Sequence, residues 1–312
     1  MLELKTLLDI PALPSTFRLT SYSAKVIDHK STECTATLFH EKASLKVRWT
    51  TARPDARIRP NLLVSPRWLN ASAACADGAI GISRLVLIER PEASLNLFST
   101  VPTGWVNDRQ LVAAAAELIE CLPRGHRHLF NAVFWGGERF RRFCMGPSSL
   151  NGHHNAQNGN LRHSVDVARM VREGCGSKHI ASTPLAILAA LMHDAGKADE
   201  YRLSKSGEWV LSDRGRLLGH KVTVIEWIAA AMVRHRIILP SSHYMALLHC
   251  LTSSQNAPEW LGIRKPAMLE AMLLSNMDRL SGTGNLIERC AANDGWGQYH
   301  PHMGQRPFTI AC

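Results

Sequence analysis

Residues 183–197 read TPLAILAALMHDAGK, and this stretch decides how the second half of the chain folds. Its apolar residues recur at helical spacing up to His193 and Asp194, and Gly196 closes the helix. Two adjacent polar groups therefore stand at the end of a strongly apolar helix. Burying an unpaired carboxylate there is costly, and a bound divalent cation offsets that cost. Imidazole nitrogen and carboxylate oxygen are the ligands expected where Mn²⁺, Fe²⁺, Zn²⁺ or Mg²⁺ serves a hydrolase.

Working outward, the same half of the chain holds two further candidates. His163 lies in NLRHSVDVARM, near the start of an amphipathic helix, and Asp278 lies in LLSNMDRLSG, in or near the end of an apolar one. Helical spacing also marks DRQLVAAAAELIECLPRG, with Asp108 as its cap, HLFNAVFWGGERFRRFCM, HKVTVIEWIAAAMVRHR, HYMALLHCLTSS and KPAMLEAMLLSNMDRLSG. Residues 105–290 thus read as a helical domain. The Gly-, His- and Pro-rich tail at 291–312 shows no period and reads as irregular.

The first 95 residues have a different character. FRLTSYSAKVID, TECTATLFHE, ASLKVRWTT, NLLVSPRW and AIGISRLVLIE are short, β-branched and partly alternating, with turn-like segments between them, NASAACADG among these. This number of short strands suits a small closed barrel such as an OB-fold, a frequent holder of single-stranded nucleic acid. Arg48, Trp49, Arg67, Trp68 and Arg84 are the candidates for phosphate contact and base stacking. A generic β-domain whose tryptophans belong to the core suits the strand pattern equally. The junction falls near residues 89–104. The expected fold class is α+β multidomain: an OB-like barrel followed by an all-α domain.

Charge points to a polyanionic partner. Lys and Arg number 36 against 26 Asp and Glu, a formal charge of +10, and phosphates neutralised by such side chains release condensed counterions. Eight scattered cysteines without a CxxC pair imply reduced thiols rather than a disulfide framework or zinc knuckle. No apolar run approaches a membrane span, and the opening MLELKTLLDIPALPST lacks the basic-then-apolar form of an export signal. A cytoplasmic protein without membrane contact is the expectation.

The order His163, His193-Asp194, Asp278 resembles the signature of HD-domain metal-dependent phosphohydrolases. PSSLNGHHNAQNGNLRHSVDVA and LLGHKVTVIEWI are similar to segments of the YhaM-type 3′–5′ exoribonucleases, which join an OB-fold to an HD domain. The resemblance implies that His163, His193, Asp194 and Asp278 hold one divalent metal, manganese foremost, with magnesium, iron, zinc or cobalt as alternatives. It implies catalytic roles for Asp194 and for Lys197, the latter contacting substrate phosphate. His220, His153 and His154 match positions that bind a second metal or the phosphate, and a structural role suits each of them as well. There is a departure: Ser254 and Gln255 stand where the family pattern has histidines, and neither His243 nor His249 replaces them. Hydroxyl and amide are poor transition-metal ligands, which favours a single-metal enzyme or one with an altered substrate.

The expected function is metal-dependent 3′–5′ exonucleolytic cleavage of single-stranded RNA or DNA. Three alternatives stay open: a MobH-like DNA-nicking relaxase, a nucleic-acid-binding protein with a degenerate site, and a phosphohydrolase of free nucleotides.

Overall fold

Alternation in the first strands sets the barrel. In the computed structural model, which describes residues 13–69, 78–176, 181–257, 260 and 262–311, five strands form it. They are β1 (Phe17–Asp28), β2 (Ser31–His40), β3 (Ala43–Thr51), β4 (Leu63–Trp68) and β5 (Ile80–Leu87). Every second residue of β2 and β3 is buried, so Cys34, Ala36 and Leu38 face inward opposite Trp49, Val47 and Leu45. The sheet closes in the order β1-β2-β3-β5-β4, with β3 parallel to β5 and β4 antiparallel to β1. Closure leaves no sheet edge to aggregate. The expected barrel is present.

The export reading of residues 1–12, most of the turn at 70–78, and Cys75 and Cys312 lie outside the described residues. Among the described residues, Cys34, Cys121, Cys144, Cys175, Cys250 and Cys290 are free thiols, as expected. No helix of the described residues is long and apolar enough to cross a membrane.

Two units partition the chain. The first takes in the described residues to Ala116 together with Phe134–Arg141; the second takes in Glu117–Val133 and the chain from Arg142 onward. The return of 134–141 to the first unit has a local cause. Arg18, fully buried, donates to the Asn61 carbonyl and to Thr100 Oγ1, both at 2.8 Å, and its guanidinium lies over Trp105 and Phe140. Gly137 has φ +75°, and a Cβ there would fall 2.1 Å from the Asn61 carbonyl oxygen. Only glycine fits. The run 128–145, uniform in its apolar spacing, is accordingly broken at Gly136-Gly137 into α2 (Arg124–Phe134) and α3 (Glu138–Met145). Before them, α1 (Arg109–Glu120) starts at Asp108, whose Oδ1 accepts from Leu111 N at 3.0 Å.

The second unit is built around α5 (Thr183–Met192), in which every residue from Leu185 to Met192 is buried. A helix apolar on all sides must be central. It packs against α4 (Gly159–Gly176), α9 (Ser241–Thr252) and α10 (Leu269–Cys290). Between α5 and α9 come α6 (Lys197–Glu200), α7 (Asp213–Leu217) and α8 (Gly219–His235). Two features amend the all-helical expectation. A hairpin of β6 (Tyr201–Leu203) and β7 (Trp209–Leu211) follows α6, and the tail closes on itself through β8 (Gly295–Trp296) and β9 (Phe308–Thr309). Each strand has only two or three residues, too few for a sequence period to register.

The barrel corrects one residue assignment. Trp49 is 7% exposed, belongs to the barrel core and stacks on Tyr22, so its ring has no face to offer a base. Truncating it by Trp49→Ala should therefore destabilise the protein by about 3–5 kcal/mol, read by chemical denaturation. An unchanged midpoint would mean that the side chain is a surface platform after all.

Candidate metal centre

Three helices bring the predicted ligands together. His163 sits in α4, His193 follows the last turn of α5, and Asp278 sits in α10. Ligand atoms of His163, His193 and Asp278 all lie within 4.8 Å of one another, a group able to hold a metal ion. His163 Nε2 is 3.0 Å from Asp278 Oδ1 and 3.2 Å from His193 Nε2. Asp194 borders this group, its Oδ2 lying 3.4 Å from His163 Nε2 and 3.6 Å from His193 Nε2. His163 is fully buried, His193 and Asp194 nearly so, and Asp278 is open to solvent on one side.

The donor set suits a cation. His193 Nδ1 lies 2.7 Å from the Ala190 carbonyl, which can only accept, so that nitrogen carries the proton. In the neutral ring, Nε2 then presents its lone pair toward His163 and the two carboxylates. Lone pairs and negative charge crowded in a buried place repel unless a proton or metal ion lies among them. The pKa shifts express the same tension. Burial opposes charge on His193, yet Asp194 and then Asp278 outweigh it and raise the pKa. Burial likewise opposes charge on both carboxylates, but Lys197, His193 and His220 hold Asp194 well below the usual range. Hydrogen bonds to His163 and His193 lower Asp278.

Lys197 is nearly buried, with Nζ donating to Asp194 Oδ2 at 2.5 Å and to Ser148 Oγ at 3.1 Å. The turn carrying it is gripped by Arg142, whose Nε donates to the Ala198 carbonyl at 2.8 Å and whose Nη2 pairs with Asp199. His220, from α8, places Nε2 3.5 Å from Asp194 Oδ1, while Nδ1 lies 2.7 Å from Glu200 Oε2. His153 and His154 lie against the other side of His163, with ring centroids 5.0 and 5.3 Å from it. Burial, then charge on His163, pushes them down to about 4 and about 3, so both are neutral near pH 7. Ser254 and Gln255 are not in the ligand group, and neither His249 nor His243 takes their place. His249 Nε2 accepts from Ala267 N, and His243 lies against His126.

Three participants escaped the sequence reading. Ser148 meets Asp194 and Lys197, Glu200 meets His220, and Ser281 lies 3.0 Å from His163 Nδ1. Ser281 follows Asp278 by three residues in a helix, a spacing that places both on one face and could have flagged it. Gly196, expected to close α5, instead precedes α6, because α5 already stops at Met192 with His193 as its cap. A Cβ on Gly196 would sit 2.1 Å from the His220 carbonyl oxygen, so its bareness lets α8 approach the His193-Asp194 turn.

On the barrel, the four other nucleic-acid candidates differ in setting. Arg48 pairs with Glu33 at 3.7 Å, and Trp68 is half-buried against the core. Arg67 and Arg84 are exposed cross-strand partners on β4 and β5, at an irregularity in the register that follows Arg67. Neither has an ion-pair partner among the described residues.

With the site laid out, similarity to known proteins is informative. The chain is 25% identical over 159 residues to the 3′–5′ exoribonuclease YhaM of Bacillus licheniformis, covering 51% of this chain and 49% of that protein. The YhaM proteins of Listeria innocua and Bacillus pumilus are 22% and 24% identical over 153 and 178 residues, covering 48% and 54% of their own lengths. The chain resembles the YhaM exoribonucleases. It spans about half the length of the curated relatives it matches. No family model and no solved structure matches it.

The close approach at Gly196 yields a direct check. Gly196→Ala introduces a methyl group where the His220 backbone already stands, and should cost about 1–3 kcal/mol of stability although Ala favours helix. A thermal melt at or above the unaltered protein's would show that the approach is not required.

Proposed function

We propose that the chain is a metal-dependent 3′–5′ exoribonuclease of the HD phosphohydrolase type, acting on single-stranded RNA or, in the same manner, DNA. The convergence of His163, His193 and Asp278, with Asp194 at its edge, is the observation that carries this reading. Similarity to YhaM supports the choice of reaction, and the +10 charge supports a polyanionic substrate. His163, His193, Asp194 and Asp278 would hold one divalent cation, manganese first among the candidates. When bound, such an ion supplies a Lewis acid that makes water nucleophilic near neutral pH and counters phosphate charge.

The protein's own groups do the rest. Asp194 orients the attacking water, whose oxygen joins phosphorus as the bond to the leaving ester oxygen breaks. Lys197, tied at rest to Asp194 and Ser148, counters charge building on the non-bridging oxygens. His220, steadied by Glu200, meets the phosphate or a second cation beside Asp194. The barrel holds the strand by its phosphates through Arg67 and Arg84. Like charges directly opposite on paired strands are unfavourable, and a phosphate between them relieves that cost.

Two measurements test the proposal. Asp194→Ala should lower Mn²⁺-dependent cleavage of an end-labelled RNA oligonucleotide by on the order of 10²–10³-fold or more while leaving strand binding nearly intact. Wild-type turnover in that variant would place the chemistry elsewhere. Stepwise mononucleotide products mark the exonuclease, whereas a single nick or activity on free nucleotides alone would refute it. Oligonucleotide affinity should also fall steeply with salt, and the Arg67→Ala, Arg84→Ala double variant should flatten the log–log slope by about 1.4, two single-strand phosphate contacts. An unchanged slope would remove this arginine pair from the interface.

A further inference from the structure

We infer that Ser281, with His154 behind it, is a positioning residue that holds His163 in the ring tautomer able to bind a cation. This rests on the cation reading of the site.

The argument concerns one proton. His163 faces the ligand group with Nε2 and faces Ser281 Oγ with Nδ1, at 3.0 Å. If the Ser281 hydroxyl donated to Nδ1, the ring proton would sit on Nε2 and point at Asp278. No lone pair would then be left for a metal. If the hydroxyl donates elsewhere, its oxygen accepts the Nδ1 proton and the Nε2 lone pair is released into the group. The structure offers a partner for that role: His154 Nε2 lies 3.4 Å from Ser281 Oγ, and with its ring proton on Nδ1 it accepts from the hydroxyl. A helix serine or threonine usually turns its hydroxyl back to the preceding turn, as Thr252 does to the Leu248 carbonyl at 2.8 Å. Ser281 has both His163 and His154 as partners instead.

His154 is held firmly in that place. It adopts a left-handed backbone, with φ 45°, uncommon for a residue with a side chain. Its N–H donates to Asn285 Oδ1 at 2.9 Å, and its carbonyl accepts from Ser148 N at 3.0 Å. A Cβ on Gly159 would lie 1.9 Å from that carbonyl oxygen. One stripe of α10 therefore carries the ligand Asp278, then Ser281, then Asn285, at helical spacings of three and four. A single helix face both offers a carboxylate to the cation and sets the loop that selects the tautomer of a second ligand.

The test is metal affinity, measured without substrate. Mn²⁺ binding to the full-length protein, followed by the free-ion electron paramagnetic resonance signal, should weaken about 10- to 100-fold in Ser281→Ala. Ser281→Thr, which keeps the hydroxyl, should recover most of the loss. Should the alanine variant fail to fold, Ser281→Cys, nearly isosteric but a weak acceptor, reads the same quantity and should also weaken binding at least tenfold. In the zinc-loaded protein, nitrogen NMR should report His163 protonated at Nδ1. Mn²⁺ affinity unchanged in the folded alanine or cysteine variant would overturn the inference, as would zinc ligation through Nδ1. If the unaltered protein bound no Mn²⁺, the cation reading itself would fall.

Discussion

Two imidazole nitrogens 3.2 Å apart, met by carboxylates within 3.6 Å in a largely buried place, form the constraint on which the helical unit turns. Left to themselves these groups repel, and the surroundings are arranged to hold them together. α5 is buried on every side and cannot shift without opening the core, so His193 and Asp194 at its end are fixed. The Ala190 carbonyl sets the proton of one imidazole, and Ser281 faces the corresponding nitrogen of the other. At rest, Lys197 supplies positive charge to Asp194. The cluster is thereby a place in which the absence of positive charge is unfavourable.

The residues around this place share tasks economically. Gly196 lets α8 come near, which brings His220 to Asp194, and Glu200, three residues past Lys197, holds the far nitrogen of that histidine. Arg142 binds the backbone between them and fixes the short helix that carries both Lys197 and Glu200. The loop bearing His153 and His154 is tied to α10 at several points, including Arg289, which donates to the Gly152 carbonyl at 2.8 Å. Rigid elements carry the clustered histidines and carboxylates, and polar side chains meet them from the surrounding turns and helices.

The barrel illustrates a different economy. Its wall is one residue thick, so parity along a strand decides whether a side chain serves stability or contact. Trp49 falls on the inward parity of β3 and Arg48 on the outward one, although they are adjacent in sequence. Arg67 and Arg84 reach the outside on neighbouring strands beside an irregularity in their pairing. Among these candidates it is thus the arginine pair, and not the tryptophans, that stands exposed to solvent.

The sequence by itself determined the strand-then-helix order, the extents of most strands, and the two histidines and the aspartate that the fold brings together. Those properties are written in local periodicity and in a spaced ligand pattern, both visible along one dimension. It could not show that the apolar run at 128–145 breaks at Gly137, because the cause is the Asn61 carbonyl, 76 positions away and pressed against the glycine. Nor could it assign Trp49 to the core, since strand parity relative to the barrel axis is settled only when the sheet closes. Ser148, Glu200 and Ser281 were silent for the same reason: a hydroxyl or carboxylate takes its meaning from the histidine or lysine it meets. That meeting is made by helix packing, which spacing along the chain does not encode.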